Sequence, residues 1–338
     1  MMMHETALRV LRGMALLGCL VVNGGSAAAT MLGIDSDSGN LYQVSTTDAS
    51  LSLIGNTGLS VPSAYQAPAD LQFAPDGTLY CFTTTVKTNS MLYRVDANTA
   101  HASLVGYLGL GIVFEGGLAF SPNGTAYGCN GGTANNPQLF TLNLQTGHAT
   151  IIGTISGGSH DINGLAWRSD GMLVGLDRVS NSLLAINPQT AASSTIAVLS
   201  PAIGAIGGMT TADGNTGYFS TAGTAAYFPG SDALYSFNLL SGGYSYIGSF
   251  PSVIQGTGIS GIALQPQSSP KLNIARTGAN SVQMTWATNF PGYSLYYTTN
   301  LHNAVWVAVT NSVGTNSGYF KVNCNRTAQP RFYRLHNP

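Results

Sequence analysis

The chain has 338 residues, of which 12 are Lys or Arg and 13 are Asp or Glu, for a formal net charge of −1. Only 7% of the residues are charged, against roughly 25% in an ordinary soluble protein. This excludes a general nucleic-acid binder, which needs a basic field to replace phosphate counterions, and a charge-rich coiled coil. With 44% hydrophobic residues and 42 glycines, charge-driven disorder is excluded too.

Residues 1–29 read as an export signal. Arg9 and Arg12 form the positive end, Met14 to Val22 is an uncharged apolar run, and Ser26-Ala27-Ala28-Ala29 supplies small residues for cleavage. The run is too short for a membrane span, which takes about 20 residues, and no second apolar segment of spanning length follows. The mature protein is therefore expected to be secreted, periplasmic or extracellular. Leu16-Leu17-Gly18-Cys19 approaches a lipoprotein box, so anchoring at Cys19 is the minor alternative. Cys81, Cys129 and Cys324 show no Cys-x-x-Cys spacing, and no zinc site is expected. Cys81 and Cys129 are left as one disulfide or as buried thiols.

From residue 30 the sequence repeats itself. Leu71-Gln-Phe-Ala-Pro-Asp-Gly-Thr-Leu-Tyr80 recurs as Leu118 to Tyr127, Leu165 to Val174 and Met209 to Tyr218, and Gly261 to Pro266 begins a fifth copy. The first strands start at Leu71, Leu118, Leu165, Met209 and Ile262, which are 47, 47, 44 and 53 residues apart. Each complete copy is a strand, an Asp-Gly or Asn-Gly turn that tolerates positive φ, and a return strand. Alternating with it are Leu41-Tyr-Gln-Val44, Leu92-Tyr-Arg-Val95, Leu139-Phe-Thr-Leu142, Leu183-Leu-Ala-Ile186 and Leu234-Tyr-Ser-Phe237. A polar turn and a fourth strand follow, often ending in Ile-Gly, as at Ile54-Gly55 and Ile152-Gly153. Repeats of this length with four strands predict β-propeller blades. The chain starts mid-blade, and the missing strand lies at Gly261 to Gln265. The expectation over residues 30–267 is an all-β, five-bladed propeller closed by N- and C-terminal strands in one blade. Closure removes exposed sheet edges.

Residues 268–338 leave the repeat. Strands are expected at Lys271–Arg276, Ser281–Ala287, Tyr293–Thr298, Val305–Val309, Gly318–Asn323 and Phe332–Leu335, a small antiparallel β-sandwich. The repeat resembles that of secreted bacterial propeller proteins, on the strength of Gly-Leu-Ala-Phe-Ser-Pro-Asn-Gly, Leu-Tyr and the Ile-Gly ending. The C-terminal part, through Trp286, Tyr296-Tyr297, Trp306 and Arg331-Phe-Tyr-Arg334, resembles a fibronectin-type-III-like module. The resemblance implies fold and carries no catalytic residue with it.

Splitting the charge by domain sharpens it. Residues 30–270 hold 12 acids and four bases, while residues 271–338 hold six bases and no acid. The basic domain is expected to suit acidic polysaccharide, another anionic surface or the acidic propeller itself. Most propeller acids are turn residues. Asp70, Glu115, Asp161 and Asp177 are not, and with Arg178, His160, Tyr65, Phe114, Tyr227 and Phe228 they are expected on the loop face where first strands begin. The functional expectation is a non-catalytic binding or scaffold protein contacting carbohydrate or an envelope or matrix protein, with Tyr65, Asp70, Phe114, Glu115, Asp161, Asp177, Arg178 and Tyr227 as ligand residues. The alternative is a glycoside hydrolase in which Asp70, Glu115 and Asp161 supply the acid and its partner carboxylate. No cofactor and no metal site is expected: Asp35-Ser-Asp-Ser-Gly39 lacks the later Glu of a calcium loop and reads as a hairpin connection.

Overall fold

The structure, a computed structural model, describes residues 30–336 except 86–88, 132–136, 158–159, 203–205, 212–213, 222–231, 255–257, 267–269, 271, 289–292, 303, 317 and 326–329. The chain divides into two compact units, one of residues 29–267 and the other containing residues 268–338. Among the described residues there is no α-helix; a single 3-10 turn covers Pro62–Ala64.

The larger unit is built from four-stranded antiparallel sheets. Strands β1 (Met31–Asp35), β2 (Asn40–Val44) and β3 (Leu51–Asn56) belong to the first. The second holds β4 (Gln66–Phe73), β5 (Leu79–Thr85), β6 (Met91–Val95) and β7 (Ala102–Tyr107). The third holds β8 (Leu118–Phe120), β9 (Ala126–Cys129), β10 (Gln138–Leu142) and β11 (Ala149–Thr154). The fourth holds β12 (Ile162–Trp167), β13 (Leu173–Asp177), β14 (Ser182–Ile186) and β15 (Ser193–Val198), and the fifth β16 (Ile206–Thr211), β17 (Thr216–Thr221), β18 (Ala233–Asn238) and β19 (Tyr244–Ser249). Strand β20 (Ile259–Leu264) then completes the first sheet, whose order is β20-β1-β2-β3, with Met31 opposite Leu264. This is a meander repeat of the β-propeller kind.

The repeated residues have identifiable jobs. Gly77, Gly124, Gly171 and Gly214, the glycines of the Asp-Gly and Asn-Gly turns, have φ of 87°, 87°, 85° and 72°, the left-handed region that a Cβ disfavours. In the turn between third and fourth strands, Asp96 Oδ1 accepts the backbone N–H groups of Asn98 and Thr99, and Asn143, Asn187 and Asn238 do the same in their sheets. The Leu-Tyr pair marks a register shift in every sheet, between Leu41 and Tyr42, Leu92 and Tyr93, and at the matching pairs. The fourth strand carries one extra residue there, and that bulge places the glycine of Ile-Gly opposite the Leu.

That glycine receives the turn of the next sheet. A Cβ on Gly55 would lie 3.0 Å from the Thr99 carbonyl oxygen, one on Gly153 would lie 3.2 Å from that of Thr190, and one on Gly248 would lie 2.4 Å from that of Asp48. These contacts join the first sheet to the second, the third to the fourth and the fifth to the first. The core follows the same plan. Five buried clusters are each shared by two neighbouring sheets, and one, with Met31, Tyr42, Leu234 and Phe250, joins the first sheet to the fifth. First strands also touch in order: β4 and β8, β8 and β12, β12 and β16, β16 and β20, β20 and β4.

The smaller unit has two sheets. One is β21 (Asn273–Arg276), β22 (Ser281–Ala287), β26 (Tyr319–Asn325) and β25 (Val313–Asn316) in that spatial order; the other is β24 (Val307–Ala308), β23 (Ser294–Thr298) and β27 (Phe332–His336). Met284, Trp286, Leu295, Val322 and Cys324 form a core shared by both. Strand β25 was not expected from sequence: all four of its residues are exposed, so it shows no inside–outside alternation to read.

Candidate functional site

The connections from fourth to first strands and from second to third strands lie at one end of the larger unit. They carry the exposed apolar residues Tyr65, Ile112, Phe114, Val179 and Val253. Tyr65 follows the 3-10 turn with φ of 51° and is 56% exposed, so its ring leaves the sheet. Tyr227 and Phe228 lie outside the described residues.

Glu115, Asp161, Asp177, Arg178 and His160 are brought together at this end, between the third and fourth sheets. Glu115 precedes β8 with φ of 54° and accepts a 3.0 Å hydrogen bond from Asn163 Nδ2. Burial and the neighbouring Asp161 carboxylate push its carboxyl above the ordinary range, against the Asn163 hydrogen bond and Arg178. Asp161, only 2% exposed, accepts from both Nε and a terminal nitrogen of Arg178. Asp177, at the end of β13, takes His160 Nδ1 at 2.8 Å, the Asp161 N–H at 2.8 Å, the Val179 N–H at 3.1 Å and the Ser180 hydroxyl. Burial works to raise the Asp177 carboxyl, but these donors outweigh it and hold it below the usual value. His160 is fixed on its other side by Nε2 at 3.0 Å from the Ser156 carbonyl oxygen.

Asp70 differs from the expectation of a loop carboxylate. Strand β4 begins at Gln66, not Leu71, and Asp70 sits inside it at a register shift, fully buried. Its two oxygens accept the N–H of Leu71 at 2.8 Å and that of Leu118 at 2.7 Å, in the next first strand. Burial raises its carboxyl well above the ordinary value, opposed by those two hydrogen bonds. In the other repeats this position is Gly117, Gly164, Gly208 or Gly261. A Cβ on Gly117 would stand 2.6 Å from the Leu165 nitrogen and one on Gly261 2.6 Å from the Leu71 nitrogen. Glycine lets first strands approach backbone to backbone, whereas Asp70 joins its strand to the next through its carboxyl group.

Asn163 was not singled out from sequence. It is buried, bonds Glu115 and the Ile206 carbonyl through Nδ2, and leaves Oδ1 without a partner. The signal was present: other repeats have Ala69, Gly116, Gly207 or Ser260 there, so a buried amide breaks the pattern. Gln72 is a second such residue, reaching from β4 to the carbonyls of Met209 and Ile262.

Cys81 and Cys129 are buried free thiols, which resolves the open alternative against a disulfide. Burial pushes the Cys129 thiol up to about 12, so it stays protonated at neutral pH. The Asp35 to Gly39 segment is a hairpin connection, closed by the Gly39 N–H on the Asp35 carbonyl at 2.8 Å. Among the described residues no group of three or more His, Cys, Asp or Glu could hold a metal ion, and no helix is long and apolar enough to cross a membrane.

No family model and no curated protein matches the chain. Among solved structures it is similar to regucalcin, a calcium-binding protein from Agrobacterium tumefaciens, with 16% identity over 68% of this chain and 77% of that one, at a TM-score of 0.43. It is similar to TolB from Acinetobacter baumannii, with 13% identity over 78% of this chain and 62% of that one, at 0.44. It is also similar to the PQQ-bound aldose sugar dehydrogenase from Streptomyces coelicolor, with 12% identity over 90% and 91% of the two chains, at 0.39.

Proposed function

We propose that residues 30–267 form one closed five-bladed propeller with a C-terminal fibronectin-type-III-like module. We further propose that the mature protein is a non-catalytic binding or scaffold protein secreted to the envelope or extracellular space. The carrying observation is the collection of exposed apolar residues on the loop end, Tyr65, Ile112, Phe114, Val179 and Val253. Exposed apolar groups collected at one end of a rigid scaffold mark an interaction surface. Rings alone would suit sugar faces; the aliphatic Ile112, Val179 and Val253 beside them fit a protein surface better.

The carboxylates favour binding over hydrolysis. Cleavage of a glycosidic bond uses two carboxyl groups free to meet substrate. Asp70 is buried on two backbone donors, Asp161 is held by Arg178, and Asp177 by His160 and its neighbours. Glu115, its carboxyl raised by burial and by the neighbouring Asp161 carboxylate, keeps the hydrolase reading open as the second one, because such chemistry uses two carboxyl groups held in different environments.

The test is binding of the mature chain to purified envelope proteins and envelope glycans, repeated with Tyr65→Ala and Phe114→Ala. Binding to a defined protein that both variants lose, with unchanged thermal unfolding, is the expected result. Release of reducing sugar from a glycan, abolished in Glu115→Gln, would overturn it in favour of the hydrolase.

A further inference from the structure

The second sheet of the smaller unit has a face that its own core does not use. In strand pairing, Leu295 lies opposite Leu335 and Tyr297 opposite Tyr333, and Leu295, Tyr333 and Leu335 pack into the core. Side chains alternate between faces along a strand. Tyr296 and Arg334, an opposed pair, therefore project from the other face, with His336 two residues further on. Tyr296 also pairs with Ala308, and Trp306, just before that strand, lies against Arg334.

These groups touch. The Arg334 guanidinium lies 4.3 Å from the centre of the Trp306 ring, and Tyr296 meets His336 edge to face at 5.5 Å. Arg334 and His336 are exposed. A guanidinium laid over an indole is held in place and partly stripped of water, while the edge that carries its N–H donors stays available. That fork matches a carboxylate in bidentate geometry. No acidic side chain of its own domain competes for it, since residues 268–338 contain no Asp or Glu among six Lys and Arg. The contrast with the larger unit is direct: there Arg168 lies on Asp170 and Arg178 on Asp161.

We infer that this face is a binding platform for acidic, uronate-bearing polysaccharide, with the Arg334 fork, held on Trp306, taking a sugar carboxylate beside Tyr296 and His336. The complementarity is of charge: the repeated carboxylates of a uronate glycan meet a domain whose charged side chains are all Lys or Arg. This platform is independent of the loop end of the larger unit.

The experiment measures binding of the full mature chain to polygalacturonate, with dextran as a neutral glycan and phosphatidylglycerol vesicles as an anionic surface of another kind. Polygalacturonate should bind with an affinity that falls as salt rises, and dextran should not. Arg334→Gln and Arg334→Lys should each weaken binding about tenfold or more, because an ammonium does not reproduce the fork. Arg331 supplies the control: its guanidinium lies 4.3 Å from the ring of Tyr297, a residue of the opposite face. Arg331→Gln removes the same charge and should weaken binding about threefold or less. Equal losses in the Arg331 and Arg334 variants would overturn the platform, leaving net charge alone. Tighter binding to vesicles than to polygalacturonate would overturn it in favour of a lipid surface, as would no binding to polygalacturonate at all. Thermal unfolding of each variant, expected to match the parent, separates a lost contact from a lost fold.

Discussion

The seam between the second and third sheets allows a sharp test of how the larger unit is held together. Gly106, at the end of β7, faces the turn that contains Thr146 and Gly147. A Cβ on Gly106 would lie 1.9 Å from the Thr146 carbonyl oxygen and 2.9 Å from its carbon. Both atoms are backbone, so no rotamer change relieves the clash; the turn must withdraw by about 1 Å or more. Gly106→Ala should therefore cost about 3 kcal/mol, the upper end of overpacking. Gly153 holds the same place in the third sheet, but its Cβ would be 3.2 Å from the Thr190 oxygen and 3.5 Å from the Ala191 Cβ. Gly153→Ala should change stability by less than about 1 kcal/mol, because the slight crowding is offset by a less flexible unfolded chain. For a unit of this size about 3 kcal/mol lowers the unfolding midpoint by about 6–12 °C. Differential scanning calorimetry of the two variants against the parent reads the difference. Midpoints that agree within the equivalent of about 1 kcal/mol would refute the seam as the reason for the glycine.

Asp70→Asn should lower the stability of the larger unit by about 1–3 kcal/mol at neutral pH, because an amide offers one acceptor oxygen to two buried N–H groups; an unchanged urea midpoint would count against the bridge. Burial raises the carboxyls of Asp70 and Glu115 above their unfolded values, so their stabilising contribution is full below the ordinary carboxylate range and is lost as pH rises through the folded values. Glu115→Gln should flatten that part of the pH profile in urea titrations, and a slope identical to the parent's would be the contrary result. Asp177 has the opposite sign: its lowered carboxyl contributes above the unfolded value and loses that contribution as pH falls through the folded one. Asp177→Asn should therefore remove stability at neutral pH and leave a shallower acid limb, measured in the same titrations.

The repeat itself was legible because its signals are local. An Asp-Gly turn fixes φ for two residues, a Leu-Tyr and Ile-Gly pair fixes a bulge, and alternation fixes which face is buried. These dictate four-stranded meanders and place the missing strand of the first sheet at Gly261 to Gln265, where the structure has Ile259–Leu264. The same reasoning gathered Glu115, Asp161, Asp177 and Arg178 at one end, since strand direction alone sends their connections there.

What a side chain meets across a seam was not legible. Asp70 reads as a loop acid because the apolar pattern starts at Leu71, yet β4 runs back to Gln66 and turns the carboxyl onto Leu118, 48 residues away. Asn163 reads as an ordinary polar residue until Glu115 is found against it. Arg334 and Trp306 are separated in the chain by β24, β25 and β26, and only sheet pairing lays one on the other. Local signals along the chain set the four-stranded repeats of the larger unit, their turns and the sign of charge on each unit, because backbone conformation answers to neighbours in the chain. Tertiary structure alone decided which carboxyls are bridges, which are paired and which guanidinium lies on an indole, because those depend on groups that the chain brings together from distant strands.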